Sequence, residues 1–136
     1  MKFRDMREIK FRGYSSGLEK WYYGSLVCLP SDSMDTCAVR DIVEEDGSKH
    51  PVGKVGQYTT LKDKNGTEIY EGDIIQLDYP SWNYIVFWDD DSLSFQYRKV
   101  GSKQAYQLAM TELQLRQYEV VGNIYDNPEL LKDDVQ

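Results

Sequence analysis

The stretch from Val55 to Pro80, VGQYTTLKDKNGTEIYEGDIIQLDYP, leaves little room for anything but antiparallel β-structure. Asn65-Gly66 separates two runs rich in β-branched and aromatic residues, 58–61 and 67–70. A two-residue type I′ hairpin turn needs positive φ at both central positions, which Asn and Gly tolerate best, so a hairpin centred there is expected. Glu71-Gly72-Asp73 marks a second turn, with Gly72 supplying a positive φ and Asp73 accepting a backbone N–H. Ile74-Ile75-Gln76-Leu77 then enters a strand that Pro80 ends.

Similar short runs fill the rest of the chain. Glu8-Ile9-Lys10-Phe11-Arg12 alternates, which puts Ile9 and Phe11 on one face and Glu8, Lys10 and Arg12 on the other. Ser15-Ser16-Gly17 reads as a turn and Trp21-Tyr22-Tyr23 as the returning strand, extended through 24–29 until Pro30 stops it. A further strand is expected at 39–43, ended by Asp46-Gly47. Residues 84–88, Tyr-Ile-Val-Phe-Trp, read as a strand buried on both faces. Asp89-Asp90-Asp91 is then a hairpin tip, followed by Leu93, Phe95 and Tyr97 in alternation, and 118–125 reads as a last strand. Two segments look helical: 102–110, with Ala105, Leu108 and Ala109 at helical spacing, and a terminal turn with Asn127 as N-cap and Pro128 in first position. Short strands with turn signals every 8–12 residues or so predict a small barrel or sandwich.

Three stretches carry more than β-pattern: Arg7-Glu8-Ile9-Lys10-Phe11-Arg12, the run from Val55 to Ile75, and Val120-Val121-Gly122-Asn123-Ile124-Tyr125-Asp126-Asn127-Pro128-Glu129-Leu130-Leu131. Together, and in this order from residue 7 to 131, they resemble the YopX-like proteins of temperate phages and prophages of bacteria. One departure is Gly13-Tyr14, where relatives usually place Ala-Trp. The resemblance implies a mostly β fold, a small SH3-like β-barrel with extra N-terminal β elements and one or two short helices. A single unit over 1–136 is expected, with 1–55 either part of the barrel or an N-terminal β layer beside a barrel at 56–136. The resemblance carries over no catalytic, cofactor or binding residue, because the family has no assigned activity.

Charge narrows the function classes. The chain has 16 Lys and Arg against 23 Asp and Glu, for a net −7. Residues 1–60 hold 9 basic and 9 acidic residues, so the whole excess lies in 61–136, with 7 basic and 14 acidic. Met1 to Arg12 carry Lys2, Arg4, Arg7, Lys10 and Arg12 against Asp5 and Glu8, which makes the chain a dipole with a basic N-terminal end. A basic nucleic-acid coat or membrane-surface protein is disfavoured by this balance. No apolar run approaches the roughly 20 residues of a spanning helix, and no signal peptide is readable. With only Cys28 and Cys37 present, reduced thiols and the cytoplasm of a bacterial host are expected.

No catalytic constellation is readable. His50 is the sole histidine and lies in a loop-like segment, and no activated Ser or Cys signature surrounds Ser15, Ser16, Cys28 or Cys37. One His and two separated Cys cannot make a structural zinc site. Asp89-Asp90-Asp91 lacks the alternating acids and glycine of a calcium loop, so a metal-dependent hydrolase there is a remote alternative. No metal site and no cofactor is expected. The 11 Tyr, 3 Trp and 4 Phe point instead to contact surfaces, since Tyr, Trp and Arg dominate interface hot spots. Tyr14, Trp21, Tyr22, Tyr79, Trp82 and Tyr84 are the candidate anchors for a host or phage protein, and the charge dipole is compatible with self-association. Nucleic acid is the less favoured alternative, through Arg4, Arg7, Lys10, Arg12 and Trp21. The expectation is a non-enzymatic phage or prophage accessory protein that acts by binding protein.

Overall fold

In the computed structural model residues 7–30, 37–77, 81–108 and 117–134 are described, and eleven strands and one 3-10 turn form their regular structure. The chain divides into two units, Met1–Tyr58 and Thr59–Gln136.

In the first unit β1 (Phe11–Ser15), β2 (Lys20–Pro30), β3 (Cys37–Val43), β4 (Lys49–Pro51) and the start of β5 (Lys54–Lys62) form an antiparallel sheet in the order β4-β3-β2-β1-β5. The Ser15-Ser16-Gly17 hairpin is as expected and pairs Gly13 with Tyr22 and Tyr14 with Trp21. On one face Tyr22 and Ile42 are buried. Gly13 lies against them: a Cβ there would fall 2.6 Å from Val52 Cγ2 and 2.8 Å from Ile42 Cγ1. That contact accounts for glycine where an alanine was to be expected. The Asp46-Gly47 turn forms as read, with Gly47 at φ +87° and Asp46 Oδ1 accepting the Ser48 N–H at 2.9 Å. The bonds from Ser48 hold the Asp46 carboxyl below the ordinary aspartate range.

The first strand starts later than its alternation indicates, at Phe11, and Ile9 is exposed. Arg12 lies opposite Tyr23 but is not open to solvent. It is only 6% exposed, with its guanidinium 4.8 Å from the Trp21 ring centroid. His50 is not a loop residue either. It sits in β4, stacked on Tyr22 at 3.7 Å, with Nε2 2.6 Å from Glu44 Oε1. Cys28 is disulfide-bonded, contrary to the expectation of reduced thiols.

In the second unit β5 continues and pairs with β6 (Glu68–Tyr70). Here β7 (Asp73–Leu77), β8 (Asn83–Asp89), β9 (Ser94–Lys99), β10 (Ala105–Gln107) and β11 (Tyr118–Asn123) make a second antiparallel sheet, in the order β10-β9-β8-β7-β11. Its core is Ile69, Ile75, Tyr84, Val86, Tyr97, Leu108 and Tyr118. Three of those are tyrosines in edge-to-face contact, Tyr84–Tyr97 at 5.4 Å and Tyr84–Tyr118 at 5.5 Å. The burial of β8 on both faces holds for Tyr84, Ile85 and Val86 but ends at Trp88, which is exposed.

The Glu71-Gly72-Asp73 turn forms as read: Gly72 has φ +92° and Asp73 Oδ2 accepts the Tyr70 N–H at 2.7 Å. The 65–66 hairpin also forms, but not as a type I′ turn. Gly66 has φ +81°, whereas the described non-glycine residues with positive φ are Glu19, Thr60 and Leu93. The loop is longer, closed by Asp63 N–H to Thr67 C=O at 2.9 Å. Asp63 decides this, because its Oδ1 accepts the N–H groups of Asn65 (2.8 Å) and Thr67 (2.9 Å). Its Oδ2 accepts the N–H of Val120 in β11 at 2.8 Å, and Lys64 N–H bonds to the Tyr118 carbonyl at 3.0 Å.

Both sheets are antiparallel and the protein is mostly β, yet no closed barrel is found among the described residues. Closure would require β10 and β11 to pair, and the outer edge of β11 is already occupied by the 63–67 loop. The expected helix at 102–110 is replaced in part by β10, where Tyr106 pairs with Tyr97 and Leu108 N–H bonds to Phe95 C=O at 3.0 Å. Cross-strand packing outweighs the helical spacing there. At the C-terminus Pro128–Leu131 is a single 3-10 turn without a side-chain cap. Asn127 Oδ1 instead accepts the Asn123 N–H at 3.1 Å.

Candidate protein-docking face

Strand β2 is eleven residues long and its two faces fare differently. Tyr22 and Leu26 turn to the face that holds Ile42, whereas Trp21, Tyr23, Ser25, Val27 and Leu29 turn to the other. On that second face Tyr23 is 48% exposed, Val27 38% and Leu29 51%, with Val39 of β3, opposite Leu29, at 45%. Tyr14 continues the row through its contact with Trp21, ring centroids 5.2 Å apart, and Lys54 lies 5.8 Å from the Tyr14 ring. From Tyr23 to Leu29 the stripe runs about 20 Å at the rise of an extended strand.

The structure sorts the candidate anchors. Tyr14 and Trp21 come together at one end of the stripe, half-buried. Tyr22 lies on the opposite face beneath His50, and Tyr84 is in the core of the second unit, so both correct the expectation of a contact surface. Their strands place each of them on a covered face. Trp82, in the second unit, is 47% exposed, with Lys99 Nζ 3.6 Å from its ring centroid. Tyr79 lies outside the described residues. Of the nucleic-acid candidates, Arg7 is exposed, Lys10 pairs with Glu8 at 3.2 Å, Arg12 is buried and Arg4 lies outside the described residues. A buried Arg12 is lost to phosphate contact, which weakens that set. Asp89 Oδ2 accepts the Ser92 N–H at 3.1 Å and the Ser92 hydroxyl at 2.7 Å, and these bonds lower its carboxyl from the ordinary aspartate value. It caps its own hairpin, and no metal-binding cluster of His, Cys, Asp and Glu is present among the described residues.

Sequence reading missed Tyr23, Val27, Leu29 and Val39. The available signal was the length of β2 with apolar residues at both parities, Tyr22 and Leu26 on one side and Tyr23, Val27 and Leu29 on the other. Such a strand needs two covers.

The profile of the YopX protein family matches residues 10–132. The chain belongs to the YopX family. A search of curated proteins finds no match. Among solved structures, the crystal structure of protein EF1440 from Enterococcus faecalis is similar, with a TM-score of 0.60 and 24% identity over 93% of this chain and 100% of that one. At that identity the likeness speaks for the fold alone. It supports the fold described above and assigns no activity.

Proposed function

We propose that this YopX-family chain is a non-enzymatic accessory protein of phage or prophage origin that acts by binding another protein through the β2–β3 face. The exposed row of Tyr23, Val27 and Leu29, with Val39 across from it, carries this reading. Fully burying a side chain of this size contributes about 1.5–3 kcal/mol, and these are half exposed, so covering all four contributes roughly 3–5 kcal/mol. Association costs about 4–15 kcal/mol. The stripe is therefore the centre of an interface and not the whole of one. Tyr14 and Trp21 at its end, of the residue types that serve as hot spots, extend it.

The test is affinity purification from the bacterial host with the wild-type chain and a Val27→Lys/Leu29→Lys variant. The reading expects a protein retained by wild type and lost from the variant, whose circular dichroism stays that of a β protein. Recovery of the same proteins by both, or of none above an untagged control, overturns it.

A further inference from the structure

Within the second unit a shallow groove of about 340 Å³ lies where β8 starts and β9 ends, against the 3-10 turn, lined by Trp82, Lys99, Val100, Glu129, Lys132 and Asp133 among others. We propose that it binds an arginine side chain presented by an extended basic segment of a protein partner, with the guanidinium stacked on the Trp82 indole. This site is separate from the β2–β3 stripe and stands without it.

Four observations carry the assignment. First, the indole already holds a cation: Lys99 Nζ lies 3.6 Å from its centroid, well inside the range of cation–π attraction. Trp82 remains 47% exposed beneath that ammonium, so ring surface is still open. Lys99 acts as an internal stand-in on a flexible stem that an incoming cation can displace. Second, Glu129 and Asp133 line the same groove and offer carboxylates to a guanidinium, with Lys132 between them in the chain. Third, residues 61–136 carry 7 basic against 14 acidic residues, so the field of this unit draws basic segments and repels acidic ones. Fourth, the frame is fixed before binding. Arg98 makes a bidentate pair with Asp134, 2.7 and 2.9 Å, and Gly101 N–H adds a third bond to that carboxylate at 3.1 Å. Val100 N–H bonds to Asn83 C=O at 2.9 Å. A groove held this way loses little freedom when it is filled. Its volume is near the lower limit for ligand pockets and suits one long side chain with its flanking backbone. Arginine is favoured over lysine because its planar cation stacks on indole and is more weakly hydrated.

The experiment is a titration of the intact chain with an amidated hexa-arginine peptide, read on the three indole N–H signals in a proton–nitrogen correlation spectrum. Trp82→Phe assigns the relevant signal. The expected result is a saturating shift of that signal, with affinity at least about tenfold lower in Trp82→Ala and several-fold lower in Glu129→Gln/Asp133→Asn. Lys99→Met should bind several-fold tighter, because the internal competitor is gone, and more so than Lys103→Met, which removes the same charge away from the lining residues. Hexa-lysine should bind more weakly than hexa-arginine, and hexa-glutamate should leave the signal in place. The proposal is overturned if hexa-arginine binds Trp82→Ala as well as wild type, if Lys99→Met and Lys103→Met tighten binding equally, or if 1 mM peptide shifts nothing. A shift that grows with protein concentration and no peptide would also overturn it, in favour of a second copy of the chain as occupant.

Discussion

Removing the Asp63 carboxylate tests whether this buried side chain ties the 63–67 loop to the edge of the second sheet. Asp63 is 7% exposed and accepts three backbone N–H groups, from Asn65, Thr67 and Val120. Asn65 and Thr67 are themselves exposed, so in Asp63→Ala water can replace the lost acceptor at about 0.5–1 kcal/mol each. Val120 sits in β11 and is half-buried, and loss of its charge-assisted bond costs about 1.5–3 kcal/mol. The sum is about 2.5–5 kcal/mol. Asp63→Asn keeps one acceptor oxygen and turns an amide NH2 toward whichever donor it abandons, so about half that cost is expected. For a chain of this size 1 kcal/mol moves the midpoint by roughly 3 °C, which puts Asp63→Ala about 10 °C below wild type.

Thermal unfolding by circular dichroism measures the midpoint, and amide hydrogen exchange localises the loss. Exchange should quicken at Val120 and Lys64, while Ile75, in the neighbouring β7, stays protected. A drop of less than 1 kcal/mol, or Val120 as slow as in wild type, would refute the reasoning.

Thr60 is exposed, β-branched and held at φ +73°, a conformation that costs a non-glycine residue about 1–2 kcal/mol. Thr60→Gly removes that strain against a gain in unfolded-chain entropy of about 0.5–1 kcal/mol, so a net stabilisation of about 0.5 kcal/mol is expected in urea unfolding, and a destabilised variant would contradict the strain. Burial first, and then the neighbouring Tyr84 and Tyr97, push the Tyr118 phenol well above the usual tyrosine range. Its folded value is raised, so its contribution is whole below an unfolded value of about 10 and is lost as pH rises above it. Absorbance titration should show one fewer tyrosine ionising only on alkaline unfolding in Tyr118→Phe than in wild type; the same number in both would count against this.

What the sequence made legible and what it hid divide along one physical line. Gly72 and Asp73 were readable because their work is local: the positive φ and the Tyr70 N–H lie within four residues. The 63–67 loop was half readable. Asn65-Gly66 announced a turn, but its form was set by Asp63, whose third bond reaches 57 residues along the chain to Val120. The helical spacing of 102–110 misled for the same reason, since Tyr106 and Leu108 answer to β9 and not to their own neighbours. At β2 this limit bears on function. Its two parities are both apolar, so periodicity alone predicts burial on both faces, and only Ile42 and His50 on one of them decide which parity is covered. Exposure of the other parity then conflicts with its own composition, for Val and Leu are chosen in strands for surfaces that something covers. The conflict is resolved if the cover is a second molecule, and this is why the stripe, rather than the aromatic count that first pointed to an interface, carries the proposal of a bound protein.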